Sequence, residues 1–221
     1  MKRFFRTLVA AVLLSGAFSV SAQYYEVANQ LTKLISPALS GSFNYKGYVE
    51  ADGLAGIGDK RTNFIGISTS QGFRYSNWFF MGAGIGVDIA VTQSDPLDYA
   101  PQSDWSSNTY STKVMLPVFT DFRFLIGGEK SVSAFIDLKL GASWLLGNGY
   151  LEINHAAMGH GAQFYLKPSV GMRIPVNSNN ARQAFNIGLT YQLITSNNFY
   201  SYYNDNSLTL NNLGLTLGFE W

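Results

Sequence analysis

From residue 43 onward, apolar side chains recur at every second position through eight segments of the chain. In residues 131–146, Val132, Ala134, Ile136, Leu138, Leu140, Ala142, Trp144 and Leu146 share one parity, while Ser133, Phe135, Asp137, Lys139, Gly141, Ser143 and Leu145 share the other. Successive strand side chains point to opposite faces, so one side of such a strand is apolar throughout. The pattern repeats near 43–57, 62–75, 78–92, 113–126, 162–174, 183–194 and 208–221. Each segment reaches the ~9–11 residues that cross a bilayer at a tilt.

Charge sharpens the picture, because it falls on the other parity. The inward set is Lys46, Glu50, Asp52, Arg74, Asp88, Asp121, Arg123, Asp137, Lys139, Lys167, Arg173 and Glu220, half of it basic and half acidic. A soluble lipocalin-like carrier would place apolar residues inside and charges outside. An apolar wall around a charged interior predicts the opposite case: an all-β, eight-stranded antiparallel transmembrane β-barrel, since a membrane tolerates only helices and closed barrels. Eight strands enclose a lumen that side chains just fill. Buried charges are costly unless paired, so the balanced set is expected to form a closed ion network. With a tight turn at 127–130, Asp121 and Arg123 are expected within diagonal reach of Lys139 and Asp137, about 7–8 Å across the strands.

Connections alternate in length. Those after the second, fourth and sixth segments (76–77, 127–130, 175–182) are short, and those after the third, fifth and seventh are long, the arrangement that separates periplasmic turns from extracellular loops; the first outer connection, around Asp59, Lys60 and Arg61, is short as well. An even strand number then puts both termini on the periplasmic side. Pro117 and Pro168 remove ladder donors inside strands, so a bulge or kink is expected at each. Leu208 and Leu210 have the parity opposite to the apolar set of the last segment and are assigned to a bulge or to the emerging loop. Gly82, Gly84 and Gly86 point inward at G-x-G-x-G spacing, with Val87 where a dinucleotide fingerprint needs its third glycine; they are expected to make room for Phe80, Arg123 or Lys139.

Before residue 43 the pattern changes. Lys2, Arg3 and Arg6, the apolar run 8–14 and the small residues Val20, Ser21 and Ala22 form a secretory leader over 1–22. Val27, Leu31, Leu34 and Ile35 at helical spacing, ended by Pro37, predict a short periplasmic helix within 23–42, ahead of a barrel domain over 43–221. Removing the three leader cations from 15 leaves 12 basic against 14 acidic residues, which argues against a nucleic-acid partner. With no cysteine, neither disulfides nor thiolate chemistry is available.

Candidate chemistry is sparse, and no catalytic, cofactor-binding or metal residues are assigned. His155 and His160, the only histidines, share one long loop with Glu152 at a spacing that matches no zinc pattern. The last outer loop, 197–206, mixes tyrosine, serine and asparagine as recognition loops do. Trp105, Tyr200, Tyr202 and Tyr203 are the expected contacts for an extracellular ligand, alongside the acidic loop with Asp95, Asp98 and Asp104.

The chain ends on Leu213, Leu215, Leu217, Phe219 and Trp221, alternating apolar positions that finish in F-x-W. This resembles the C-terminal assembly signal of Gram-negative outer-membrane barrels, and with the leader and eight segments the chain resembles the small OmpA/OmpX-like outer-membrane β-barrel family over 43–221. The resemblance implies outer-membrane lipid, periplasmic chaperones and the barrel-assembly machinery as partners. It also implies an envelope-structural or surface-interaction role through the outer loops. The alternative is an outer-membrane lipid-modifying enzyme like the lipid A deacylases of that family, whose strand-borne His-x-Ser motif has no match here. No peptidoglycan-binding domain follows the barrel, so the anchoring role of two-domain members does not carry over.

Overall fold

The structure, a computed structural model, describes residues 43–58, 60–75, 77–94, 109–153, 156–177, 180–201 and 207–221. The expected leader and the 23–42 segment with its helix lie outside the described residues, as do His155, Trp105, Tyr202, Tyr203, Asp95, Asp98 and Asp104.

Eleven strands are present among the described residues: β1 (Phe43–Ile57), β2 (Thr62–Tyr75), β3 (Phe79–Ser94), β4 (Thr109–Ile126), β5 (Ser133–Leu146), β6 (Leu151–Ile153), β7 (Ala156–Met158), β8 (Ala162–Asn177), β9 (Asn180–Ser196), β10 (Phe199–Ser201) and β11 (Leu208–Glu220). Eight of them close an antiparallel barrel in the order β1-β11-β9-β8-β5-β4-β3-β2. Closure leaves no edge, so every ladder is paired on both sides, as a low-dielectric surrounding requires. Alternation then fixes the faces. Ile65 and Ile67 on β2, Val170 on β8, Leu189 on β9 and Leu217 on β11 are all more than half exposed on the outside.

The strands are longer at several ends than periodicity indicated. β4 starts at Thr109 and β9 at Asn180, and Lys113 and Arg182 sit at opposite rims, neither of them buried in the lumen. The tight turn after β4 depends on Gly127, whose φ of 117° lies in the left-handed region.

Neither interior proline produces a bulge. Ile85 faces Val118 and Asp88 faces Met115 in one unchanged register on either side of Pro117. Leu166 facing Leu193 and Ser169 facing Thr190 do the same around Pro168. Each proline lacks one N–H and so interrupts one flank, while the other flank stays paired, Pro117 with Ser143 and Pro168 with Leu138. The irregularity falls instead between Pro175 and Asn177, at the end of β8.

Leu208 and Leu210 are likewise regular strand residues. β11 pairs with β9 without a shift from Leu208 opposite Ser196 to Glu220 opposite Ala184, and both leucines are fully buried in the lumen. They belong to an apolar plug at the loop end, with Leu54, Phe64, Ala90, Met115, Leu145 and Ile194 from six other barrel strands. The two outer loops that sequence left without structure supply its cover. β6, β7 and β10 form a small separate sheet in the order β10-β7-β6. Leu151, Ile153 and Met158 of that sheet are buried in the same cluster, each such burial contributing about 1.5–3 kcal/mol.

Candidate functional site

Below the plug the lumen is polar, and all twelve inward charges are buried. They fall into three groups along the barrel. At the turn end, Glu220 on β11 is the hub. Arg173 on β8 donates to its Oε1 through Nε at 2.8 Å and Nη2 at 2.7 Å. Lys46 on β1 lies 3.2 Å from the same oxygen, and Arg74 on β2 reaches Oε2 at 3.5 Å. Arg74 also donates to Glu129 Oε1 at 2.6 Å and to the Tyr48 hydroxyl at 2.8 Å. The Glu129 carbonyl accepts from Arg173 at 2.6 Å. The β4–β5 turn is thereby tied to the barrel floor, by charge-assisted bonds of the stronger kind.

The middle group spans β1, β4 and β5. Asp121 stands directly opposite Lys139, and Arg123 directly opposite Asp137; sequence had placed these pairs on diagonals, because the turn length alone left the register open by one step. Arg123 Nε lies 3.2 Å from Asp137 Oδ1, and its Nη2 also pairs with Glu50. Lys139 pairs with Asp137, with Glu50 Oε2 at 2.6 Å and, more loosely, with Asp121 Oδ2 at 3.9 Å. The Arg123 guanidinium sits 4.1 Å from the ring centre of Tyr48 and 4.8 Å from that of Phe135, so aromatic faces cover what the carboxylates do not.

The third group lies toward the plug. Lys167 on β8 reaches Asp52 Oδ1 on β1 at 2.7 Å. Asp88 on β3 and Asp52 converge over Gly66, where an added Cβ would collide with both carboxylates. The turn-end group, counting Glu129, holds three cations against two carboxylates; the middle group holds two against three, and the third group one against two. Asp121 lies beside the Asp137 carboxyl, and Oδ2 of Asp88 makes no hydrogen bond among the described residues.

The glycines of β3 make room for Phe80, as expected, and also for two residues of β4 that parity did not point to. A Cβ at Gly82 would meet Phe80 at 2.6 Å, one at Gly84 would strike the Phe119 ring, and one at Gly86 would meet Pro117 at 3.1 Å. The room thus goes to Phe80 and to Phe119 and Pro117 of β4. Sequence missed Phe119 here because parity gives a side chain's face and not its length across the lumen.

Outside the lumen, His160 is exposed, with Nδ1 3.4 Å from the Leu145 carbonyl and its ring beside that of Tyr150. Among the described residues no three metal-ligating side chains stand together. Tyr200 is a backbone partner of Ala157 in the outer sheet. At the C-terminus, Leu213, Leu215 and Leu217 are about half exposed on the wall, and Phe219 packs against Phe185 at 5.3 Å between ring centres.

A closed eight-stranded antiparallel barrel with an apolar outside and a charged inside is a transmembrane β-barrel. No protein-family model matches the sequence, and no curated protein does. Three solved structures are similar in fold. They are Neisserial surface protein A (11% identity, covering 81% of this chain and 97% of that one, TM-score 0.45), the N-terminal β-barrel domain of Pseudomonas aeruginosa OprF (10% identity, 81% and 100%, TM-score 0.41), and the Yersinia pestis outer membrane protein Ail in a phospholipid bilayer nanodisc (12% identity, 80% and 100%, TM-score 0.38).

Proposed function

We propose that the chain is a non-conducting outer-membrane barrel that serves envelope integrity or surface contact through its outer loops, without catalysing a reaction. The observation that carries this reading is double closure of the lumen, by the ion groups around Glu220 and Arg123 at one end and by the apolar plug under the β6–β7–β10 sheet at the other. A path for solute would have to break buried ion pairs and unpack the plug, each several kcal/mol uphill. The short turns lie at the barrel end that carries the C-terminus and the start of β1, which supports a periplasmic position for both termini. The terminal apolar-aromatic set supports delivery by periplasmic chaperones and the barrel-assembly machinery.

Planar-bilayer recording tests the reading. Pure single barrels are expected to show no large, stable open state, and reproducible porin-sized conductance would overturn it. Incubation of the barrel with outer-membrane lipids, followed by mass spectrometry, is expected to leave the lipids unchanged; time-dependent deacylated product would replace this reading with the enzymatic one.

A further inference from the structure

On the outer wall, three polar side chains form a hydrogen-bonded row where the neighbouring outward residues are apolar. The Tyr45 hydroxyl donates to Gln71 Oε1, Gln71 Nε2 donates to Thr69 Oγ1 at 2.9 Å, and Thr69 Oγ1 donates to the Tyr48 carbonyl at 3.0 Å. A primary amide carries two N–H groups, and Thr69 uses one of those of Gln71.

The row leads into a groove. Thr69, with Val49, Ile67, Ile85, Val87 and Leu116, lines an outward depression of about 320 Å³ whose floor is the backbone at Ser68 and Gly86. Ser68 and Gly86 turn inward and present only backbone to the outside, and Thr69 is short, while the exposed Ile67, Ile85 and Val87 stand up beside them. Along β1 and β2, Val49 and Ile67 lie farther from the turn end than Tyr45 and Gln71. Gln71 stands opposite Gly47, on which the Trp221 ring rests, and Tyr45 packs edge-on against Phe73 at 6.1 Å. Aromatic side chains of this kind mark the level at which hydrocarbon gives way to headgroups. A polar row at that level running into an apolar groove toward mid-membrane matches one ligand chemistry: an ester linkage at the boundary with an acyl chain below it.

We propose that this groove binds one acyl chain of a diacyl glycerophospholipid from the leaflet at the turn end, with its ester carbonyl accepting the second N–H of Gln71. The wall therefore holds one lipid in a defined place, while lipids elsewhere on the belt exchange freely.

The full chain in nanodiscs of phosphatidylethanolamine, doped with phosphatidylethanolamine carrying a diazirine on one acyl chain, provides the test. After illumination and peptide mass spectrometry, adducts are expected to concentrate at residues 67–69, 85–87 and 116. Thr69→Trp, which fills the groove, and Gln71→Leu, which removes the donor, should each reduce those adducts roughly five- to tenfold. Val170→Trp on the opposite wall should leave them unchanged. Folding of each variant is checked by heat-modifiable migration, and Leu116→Trp fills the groove from its other side should Thr69→Trp fail to fold. Labelling spread evenly around the barrel, labelling unaffected by both groove fillings, or a groove protected because two copies of the chain pair there in native mass spectra would overturn the proposal.

Discussion

Trp221 and Gly47 exchange two backbone hydrogen bonds, Gly47 N–H donating to the Trp221 carbonyl at 3.2 Å and Trp221 N–H to the Gly47 carbonyl at 3.1 Å. The indole lies so close over Gly47 that an added Cβ would strike its ring. The last residue thus completes the seam between the first and last strands. Deleting Trp221, or replacing Phe219 and Trp221 together with Asp, is expected to lower the heat-modifiable folded barrel in outer-membrane fractions, with export past the inner membrane unchanged. Gly47→Leu, which leaves the terminal sequence intact and displaces the Trp221 ring together with the Gln71 side chain, should reproduce part of the loss. Full outer-membrane levels of the truncated chain would show that neither the seam nor the terminal motif matters to assembly.

The wall makes a depth-dependent prediction. Leu140 lies near the middle of β5, and Ile126 ends β4 at the turn side; both are exposed on the outer face. Leu140→Arg should cost about 2–4 kcal/mol and Ile126→Arg about 0–1 kcal/mol, measured by denaturant titration in lipid vesicles. Equal costs would contradict the assigned membrane belt.

Inside, Arg123 faces two carboxylates and two aromatic rings. Arg123→Met strands those carboxylates and should cost about 3–5 kcal/mol. Adding Asp137→Asn to it should recover part of that loss, giving a coupling of about 0.5–3 kcal/mol in a double-mutant cycle. Zero coupling would mean that the pair is not in contact in the folded barrel.

The plug supports a third kind of measurement. Leu208→Asn with Leu210→Asn places two amides in an apolar cluster and should loosen the outer sheet before it unfolds the barrel. Limited proteolysis on intact cells should then cleave within 147–161 faster than in the unaltered chain, while heat-modifiable migration persists. Unchanged cleavage would show that the sheet is held by something other than these leucines.

How far the sequence carried these features follows from what parity encodes. Alternation is a local property of two neighbouring residues, so strand faces and the inward position of groups such as Glu220 or Asp137 could be read one segment at a time. The partners of those groups could not, because Lys167 meets Asp52, and Arg123 meets Glu50, across a closed sheet whose register no single segment contains. Leu208 and Leu210 were misassigned for a different reason. Their inward parity was visible, but a lumen assumed polar along its whole length had no place for them. Leu54, Phe64, Met115, Leu145 and Ile194 carry the same inward parity at the loop ends of their strands, and considered together they would have disclosed an apolar layer. The three-residue strands β6, β7 and β10 are too short for alternation to register at all.

Glu220, penultimate in the chain, is bonded to Lys46, 174 positions earlier. This sets an order of events. Without Glu220 in place, Lys46, Arg74 and Arg173 are three cations with, among the described residues, only Glu129 as counter-charge, and their repulsion opposes closure of the strands that carry them. The most distant contacts in sequence are also the slowest to find, so a chain stopped short of β11 has no stable stage at which to wait. Zipping of the β1–β11 seam and neutralisation of the barrel floor are therefore one event, because the strand that closes the sheet also carries the carboxylate at its centre.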